Sequence, residues 1–155
     1  MVQRIQTVYL FIVAALFFSL FFLPFANVQS GNDLFVFKIS GLHSTTNAEE
    51  LTYPTWSLLT INVIIILLTF VSIFIYKRRI LQIRICVYNT LLMTGFCILI
   101  GFYFIQFNKS PGFFDLKINF RLWLSFPIVA ILLNYLAIRK IGADETLVRS
   151  LERLR

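Results

Sequence analysis

Four long uncharged runs, separated by polar segments, set the pattern of this chain. They cover residues 8–25, 56–76, 85–107 and 122–138. Each is close to the length that crosses about 30 Å of hydrocarbon as a helix. Since a bilayer offers no water to the backbone, such runs must satisfy their own hydrogen bonds. The pattern predicts an all-α membrane protein, a four-helix transmembrane bundle over residues 1–141.

Composition favours the same class. Hydrophobic residues make up 59% of the chain and charged residues 14%, against roughly 45–50% and 25% in soluble domains. A domain of this length leaves much of its surface wet, so lipid must solvate part of the apolar surface. Arg4 and the first run also fit a signal peptide cleaved after residues 28–30. That run is longer than the usual apolar core of about 7–15 residues, so we favour a retained helix.

Charge predicts the orientation of the spans. The net charge is +7, and most of the 14 basic residues lie in three places: the N-terminus, the turn between the second and third runs, and the C-terminal tail. These are Arg4, Lys77, Arg78, Arg79, Arg84, Arg139, Lys140, Arg149, Arg153 and Arg155. Lys and Arg favour the cytoplasmic side. Both termini are therefore predicted in the cytoplasm, with outer loops at 26–55 and 108–121.

Each outer loop contains a strand pattern. Residues 34–40 and 113–120 are rich in aromatic and β-branched side chains and follow Gly-containing breakers. In the first, Phe35, Phe37 and Ile39 share one face, which would rest on the bundle or the lipid surface. Gly41 and residues 43–48 read as turn and loop. We expect either a small sheet drawn from both loops or irregular loops in the headgroup region.

Polar and small residues inside the runs predict helix packing. Asn89 and Asn134 lie at similar depths near the basic side, so they could hydrogen-bond across the third and fourth helices. Asn62 could do the same on the second helix. Gly95 and Gly101 would allow a neighbouring helix, or a lipid, to approach closely.

The runs contain no ionisable group of the kind that transporters, pumps and channels place at membrane depth. His43 is the only histidine and lies in a loop, and Cys86 and Cys97 read as packing residues. The sequence contains no Walker or dinucleotide motif. We therefore expect no catalysis, no cofactor, no metal and no specific nucleic acid.

The last segment, 142–155, is predicted to be a separate cytoplasmic tail. Gly142 reads as a helix stop and Asp144 as the N-cap of a short amphipathic helix. Leu147, Leu151 and Leu154 would form its apolar stripe. So short a helix needs a surface, either the inner leaflet or a groove on a partner protein.

The two ends carry a resemblance to a known family. Residues 2–10, VQRIQTVYL, and residues 136–155, with Arg139-Lys140-Ile141 and Asp144-Glu145, resemble the Bacteroidota inner-membrane proteins called domain of unknown function 4293. The four-span layout and the length fit as well. The resemblance implies a Gram-negative inner membrane, with periplasmic outer loops, and brings no activity or catalytic residue.

These observations together predict a non-catalytic accessory subunit of a larger inner-membrane assembly, such as a secretion or motor machine. Its partners would be membrane lipids and other inner-membrane proteins. The expected contact residues are Gln3, Arg4, Gln6, Lys77, Arg78, Arg79, Arg84, Leu147, Arg149, Leu151, Arg153, Leu154 and Arg155. The alternative is a binder or carrier of a lipid or small apolar ligand that uses the Gly95–Gly101 face.

Overall fold

Four helices and five short strands make up the described part of the chain. The computed structural model describes residues 3–30, 33–44, 51–76, 78–109 and 116–153. The helices are α1 (Gln3–Ser19), α2 (Trp56–Phe74), α3 (Arg79–Lys109) and α4 (Phe126–Arg153), and a 3₁₀ turn (Leu122–Ser125) precedes α4. The strands are β1 (Ala26–Ser30), β2 (Asp33–Lys38), β3 (Gly41–Ser44), β4 (Leu51–Pro54) and β5 (Leu116–Phe120).

The helices pack in a ring, in which each contacts the helices before and after it and α4 returns to α1. In the described residues α2, α3 and residues 122–146 are long and apolar enough to cross a membrane, whereas α1 is a shorter apolar helix. We call the end where α1 and α3 finish the sheet end. The opposite end, where a short turn joins α2 to α3, is called the basic end.

The first predicted span differs from α1 at both ends. The helix begins at Gln3 and stops at Ser19, so residues 20–25 lie in turns. The Ser19 hydroxyl donates to the carbonyl of Leu16, and the amide of Leu23 donates to the carbonyl of Ser19. Pro24 has no amide hydrogen and disfavours a helical residue before it, so the helix cannot continue. The amide of Phe25 instead donates to the carbonyl of Phe37 in β2.

The predicted break at Gly142 was wrong. α4 runs through Gly142 to Arg153 as one helix, and Gly41 is the only glycine with a positive φ in the described residues. A helix stop needs the left-handed conformation, which Gly142 lacks. Asp144 is therefore not an N-cap; it lies inside α4, paired with the guanidinium of Arg79 at 3.1 Å.

Both loops contribute to one antiparallel sheet, which confirms that prediction and excludes irregular loops in the described segments. The strand order is β4-β3-β2-β1-β5. β5 comes from the second loop and pairs with β1, with Val28 opposite Ile118. Phe37 and Ile39 are buried, as the alternation along the strand predicted.

The loop assignment after residue 40 was wrong in part. Residues 41–44 form β3, which pairs with β2 so that Phe37 lies opposite Leu42. The chain reverses at Ile39 and Ser40, and the next residue, Gly41, has a φ of 149°, which is open to glycine and strained for other residues. β1 also went unpredicted, because the strand is short and Ala26 and Val28 are its only apolar residues. Residues 45–48 of the predicted loop lie outside the described residues.

Phenylalanine rings join the sheet to the helices. The ring of Phe37 lies 5.2 Å from that of Phe104 and 5.3 Å from that of Phe107, both on α3. Phe25 contacts Phe37 on one side and Phe96 on the other. These edge and tilted contacts are favourable ring geometries. The sheet thus closes the apolar core of the bundle at its sheet end.

We expect Phe37→Ala to lower the free energy of unfolding by about 3–5 kcal/mol, because it removes a fully buried ring from this junction. The matched control is Phe22→Ala, since Phe22 is 72% exposed. The control should change the free energy by less than about 0.5 kcal/mol. Denaturant titration of both variants in mild detergent measures the difference, and equal losses would contradict the role given to Phe37.

Candidate functional site

Asn134 forms the central polar contact between α3 and α4. Its amide Nδ2 donates to the backbone carbonyl of Cys86 at 2.9 Å and to the hydroxyl of Thr90 at 2.8 Å. Asn134 is fully buried. In an apolar surrounding these bonds have no competition from water, so they fix the lateral position of α4 on α3.

A second set of polar contacts joins α3 to α2. The amide of Asn89 donates to the hydroxyl of Thr69 at 2.8 Å. One turn nearer the basic end, the Ser72 hydroxyl and the Cys86 thiol lie 3.1 Å apart. We call the residues Thr69, Ser72, Cys86, Asn89, Thr90 and Asn134 the polar network.

The predicted contact between Asn89 and Asn134 was wrong, although both side chains do join helices. Consecutive residues on a helix point about 100° apart. Asn89 therefore faces α2, while Thr90 faces α4 and receives Asn134. Sequence reasoning missed Thr69, Ser72 and Thr90. Helical spacing was the available signal. Thr69 and Ser72 are three residues apart and so lie on one face of α2, and Cys86 and Asn89 in the same way lie on one face of α3.

Asn62 does not form the predicted interhelical bond. Its side chain is fully buried on α2, and neither amide atom has a hydrogen-bond partner among the described residues. The residue lies two turns from Thr69, beyond the reach of the polar network. A buried amide without a hydrogen-bond partner lowers the stability of the fold, so Asn62 does not stabilise helix packing through a hydrogen bond.

No other helix of the bundle packs closely against Gly95 or Gly101, so the predicted close approach between helices was wrong, whereas the alternative of a lipid at these glycines stays a prediction. A Cβ atom added to either glycine would meet nothing within 4 Å. Close helix packing would place backbone or side-chain atoms within that distance. The two glycines therefore leave space rather than permit contact.

The space beside Gly101 is a groove between α3 and the start of α4. Its volume is about 220 Å³. We call it the α3–α4 groove; it is lined by Cys97, Ile100, Gly101, Phe104, Phe120, Leu124, Pro127 and Ile128. Its lining is almost entirely apolar. The groove opens near the sheet end, where β5 leads into α4.

The basic end carries the other candidate residues. The Arg79 guanidinium reaches both the carboxylate and the backbone carbonyl of Asp144, at 3.1 Å and 3.2 Å. Both side chains are largely buried, at 21% and 15% exposure. Arg78 and Arg84 are exposed, whereas Gln6 is buried in the bundle.

The remaining predicted contact residues are placed only by their helices. Gln3 and Arg4 begin α1, and the last turns of α4 contain Leu147, Arg149, Leu151 and Arg153. Lys77, Leu154 and Arg155 lie outside the described residues.

Residues with metal-binding side chains do not cluster in the part of the chain that the structure describes. No group of three or more His, Cys, Asp or Glu residues there could hold a metal ion. His43 contacts the Ser40 hydroxyl through its ring nitrogen at 2.9 Å, within the turn from β2 to β3.

Three helices long and apolar enough to cross a membrane, polar contacts between helices and a small sheet at one end are typical of an α-helical membrane protein. The chain matches the family described as a domain of unknown function (DUF4293) over residues 2–154. It belongs to that family. A search of curated proteins found no match to the chain.

We expect Asn134→Leu to lower the free energy of unfolding by about 0.6–2 kcal/mol, the range of buried interhelical hydrogen bonds in membranes. The Cys86 carbonyl keeps the Thr90 hydroxyl as a donor, at 2.9 Å, which limits the loss. Asn108→Leu is the matched control, because Asn108 is exposed on α3. The measurement is denaturant titration in mild detergent, and an unchanged or raised stability of Asn134→Leu would exclude a net role for this contact.

Proposed function

We propose that this protein is a non-catalytic subunit of a larger assembly in a bacterial inner membrane, where it spans the bilayer four times and docks through its basic end. The observation that carries the proposal is the length of α4. Its 28 residues extend about 42 Å, whereas the hydrocarbon core is about 30 Å thick. The last turns of α4 therefore project beyond the lipid as a preformed helix.

The shorter α1 serves as the first span in this proposal. Its 17 residues rise about 26 Å, and residues 20–25 extend it toward the sheet. Val13 and Phe17 of α1 are fully buried in the core that α2, α3 and α4 share. A helix packed between α2 and α4 at that depth lies in the same lipid layer as its neighbours.

The distribution of charge supports a cytoplasmic basic end. Arg78, Arg84, Arg139 and Lys140 are exposed there, and the positive-inside tendency applies most strongly to short turns such as the one between α2 and α3. The sheet would then lie in the periplasm.

A reporter fused after Arg155 tests this orientation. We expect a cytoplasm-active reporter, such as green fluorescent protein, to work there, and a periplasm-active phosphatase to stay inactive. The same pair inserted between residues 47 and 48, which lie between β3 and β4 in the sequence, should give the opposite result. A phosphatase active after Arg155 would overturn the four-span topology.

The projecting part of α4 is held at its base. The Arg79–Asp144 pair joins the first turn of α3 to α4 just before the Leu147, Leu151 and Leu154 positions. Leu147 and Leu151, four residues apart on α4, fall on one face of that helix. A preformed helix with an apolar face loses less conformational entropy on docking than a free tail would.

Exposed arginines give the docking surface its polar part. Arg78 and Arg84 lie on α3 or directly before it, on the same end as the projecting helix. A guanidinium binds a carboxylate with two parallel hydrogen bonds. The chemistry favours a partner that offers an apolar groove with carboxylates at its rim.

Removal of residues 147–155 should release the protein from its complex while the bundle remains inserted. The shortened chain keeps Asp144, so the Arg79 pair and the polar network stay intact. A mild-detergent pull-down at native expression, read by mass spectrometry, compares it with the full chain. The matched control is Lys117→Gln on β5, an exposed basic residue at the sheet end.

Two results decide the outcome. Loss of the co-purified proteins from the shortened chain alone supports docking through α4. Retention of every partner by the shortened chain would exclude the end of α4 as the docking element.

The lipid-binding alternative has an observation of its own, the open α3–α4 groove beside Gly101. It lies at the sheet end, so it does not compete with docking at the basic end.

A further inference from the structure

The α3–α4 groove is small and apolar. Its volume of about 220 Å³ is below the range of about 300–1,000 Å³ for pockets that enclose drug-sized molecules. A helix about 10 Å across could lie over the groove but could not enter it. A narrow, flexible and apolar group fits the space.

The inner wall of the groove is open because of one glycine. Gly101 lies between Cys97 and Phe104 on the same face of α3, and a Cβ there would meet nothing within 4 Å. Across from it, Pro127 and Ile128 form the wall contributed by α4. A larger residue at 101 would project into the space that a chain would use.

Polar and basic residues flank the groove-lining residues in sequence at the sheet end. Asn108 lies four residues beyond Phe104, on the same face of α3, and is exposed. Arg121 is exposed at the start of the 3₁₀ turn and lies one such turn before the groove residue Leu124. No carboxylate among the described residues pairs with Arg121.

Arg121 stands where the uncharged fourth run begins. In a membrane this position places its guanidinium at the level of the headgroups while the groove continues into the hydrocarbon. A guanidinium binds phosphate oxygens through paired N–H donors, and the Asn108 amide can donate to the same group. The charge and the apolar space thus match the two parts of one amphipathic molecule.

We propose that the α3–α4 groove binds one acyl chain of an anionic glycerophospholipid, and that Arg121 and Asn108 bind its phosphate. The proposal depends on the sheet end lying at a membrane surface. It does not depend on docking through α4. Gly101 provides the space for the chain, and Arg121 provides the preference for the anionic headgroup.

The experiment uses the full chain, purified in mild detergent and stripped of lipid by detergent exchange. Phosphatidylglycerol and phosphatidylcholine with identical acyl chains are added in turn, and native mass spectrometry counts the lipids retained per protein. The unaltered protein should retain one phosphatidylglycerol at concentrations where it retains no phosphatidylcholine.

Gly101→Leu should reduce lipid retention at least about tenfold, because its side chain fills the groove. Gly95→Leu is the matched control: Gly95 has equally open space and does not line the groove. It should retain lipid as the unaltered protein does. Both variants should keep the unaltered melting temperature, which separates loss of binding from loss of fold.

Arg121→Gln tests the headgroup without altering the groove. It should bind phosphatidylglycerol only as weakly as the unaltered protein binds phosphatidylcholine, so that at higher lipid concentrations it retains both lipids equally, whereas Lys109→Gln, on another face of α3, should keep the preference. Equal retention by all four variants would mean non-specific boundary lipid and overturn the proposal. A stoichiometric protein in place of lipid, lost on Gly101→Leu, would overturn it as well.

The partner pull-down separates this proposal from the docking one. Gly101→Leu should retain the same partners as the unaltered chain, and the chain without residues 147–155 should still bind lipid. Either proposal can therefore fail without the other.

Discussion

Water is absent from the core of a bilayer, and the buried amide of Asn134 shows how this chain meets that constraint. The hydrophobic effect does not hold helices together in lipid, so specific contacts must. Asn134 donates two hydrogen bonds to α3, and Asn89 donates one from α3 to α2. Three of the four helices are thereby fixed in one register near the basic end. Positions elsewhere in the fold follow from that register, including the groove beside Gly101 and the contact between Arg79 and Asp144.

The sheet end is stabilised by aromatic packing. There the rings of Phe25, Phe37 and Phe107 pack between the sheet and the helices. Other rings point away from the core: Phe18 is 57% exposed and Phe22 72% exposed. A chain so rich in phenylalanine uses some rings as core and presents others to lipid. The core rings hold the sheet on the bundle, and polar bonds hold the helices together.

Much of the fold could be predicted from uncharged runs and strand alternation, and the failures have physical causes. Pro24 ends the first helix early, which run length alone does not reveal. Gly142 looked like a stop, but tertiary pairing of Asp144 with Arg79 holds the helix through it. Single-residue contacts were the least predictable. Whether Asn89 contacts Asn134 or Thr69 depends on the direction in which its side chain points around the helix axis. The depth of a residue along the helix, which sequence can estimate, does not give that direction. The α3–α4 groove could not be predicted either, because a glycine in a helix is compatible with a closely packed neighbouring helix and equally with open space beside it.

The unbroken course of α4 has a mechanical consequence. Ile128 on the groove wall, Asn134 in the polar network and Asp144 at the basic end all belong to one rod without a hinge. A rod pivoting about its fixed middle moves its two ends in opposite directions. Any tilt imposed on the end near Arg153 therefore also moves Ile128, at the opposite end of the same helix.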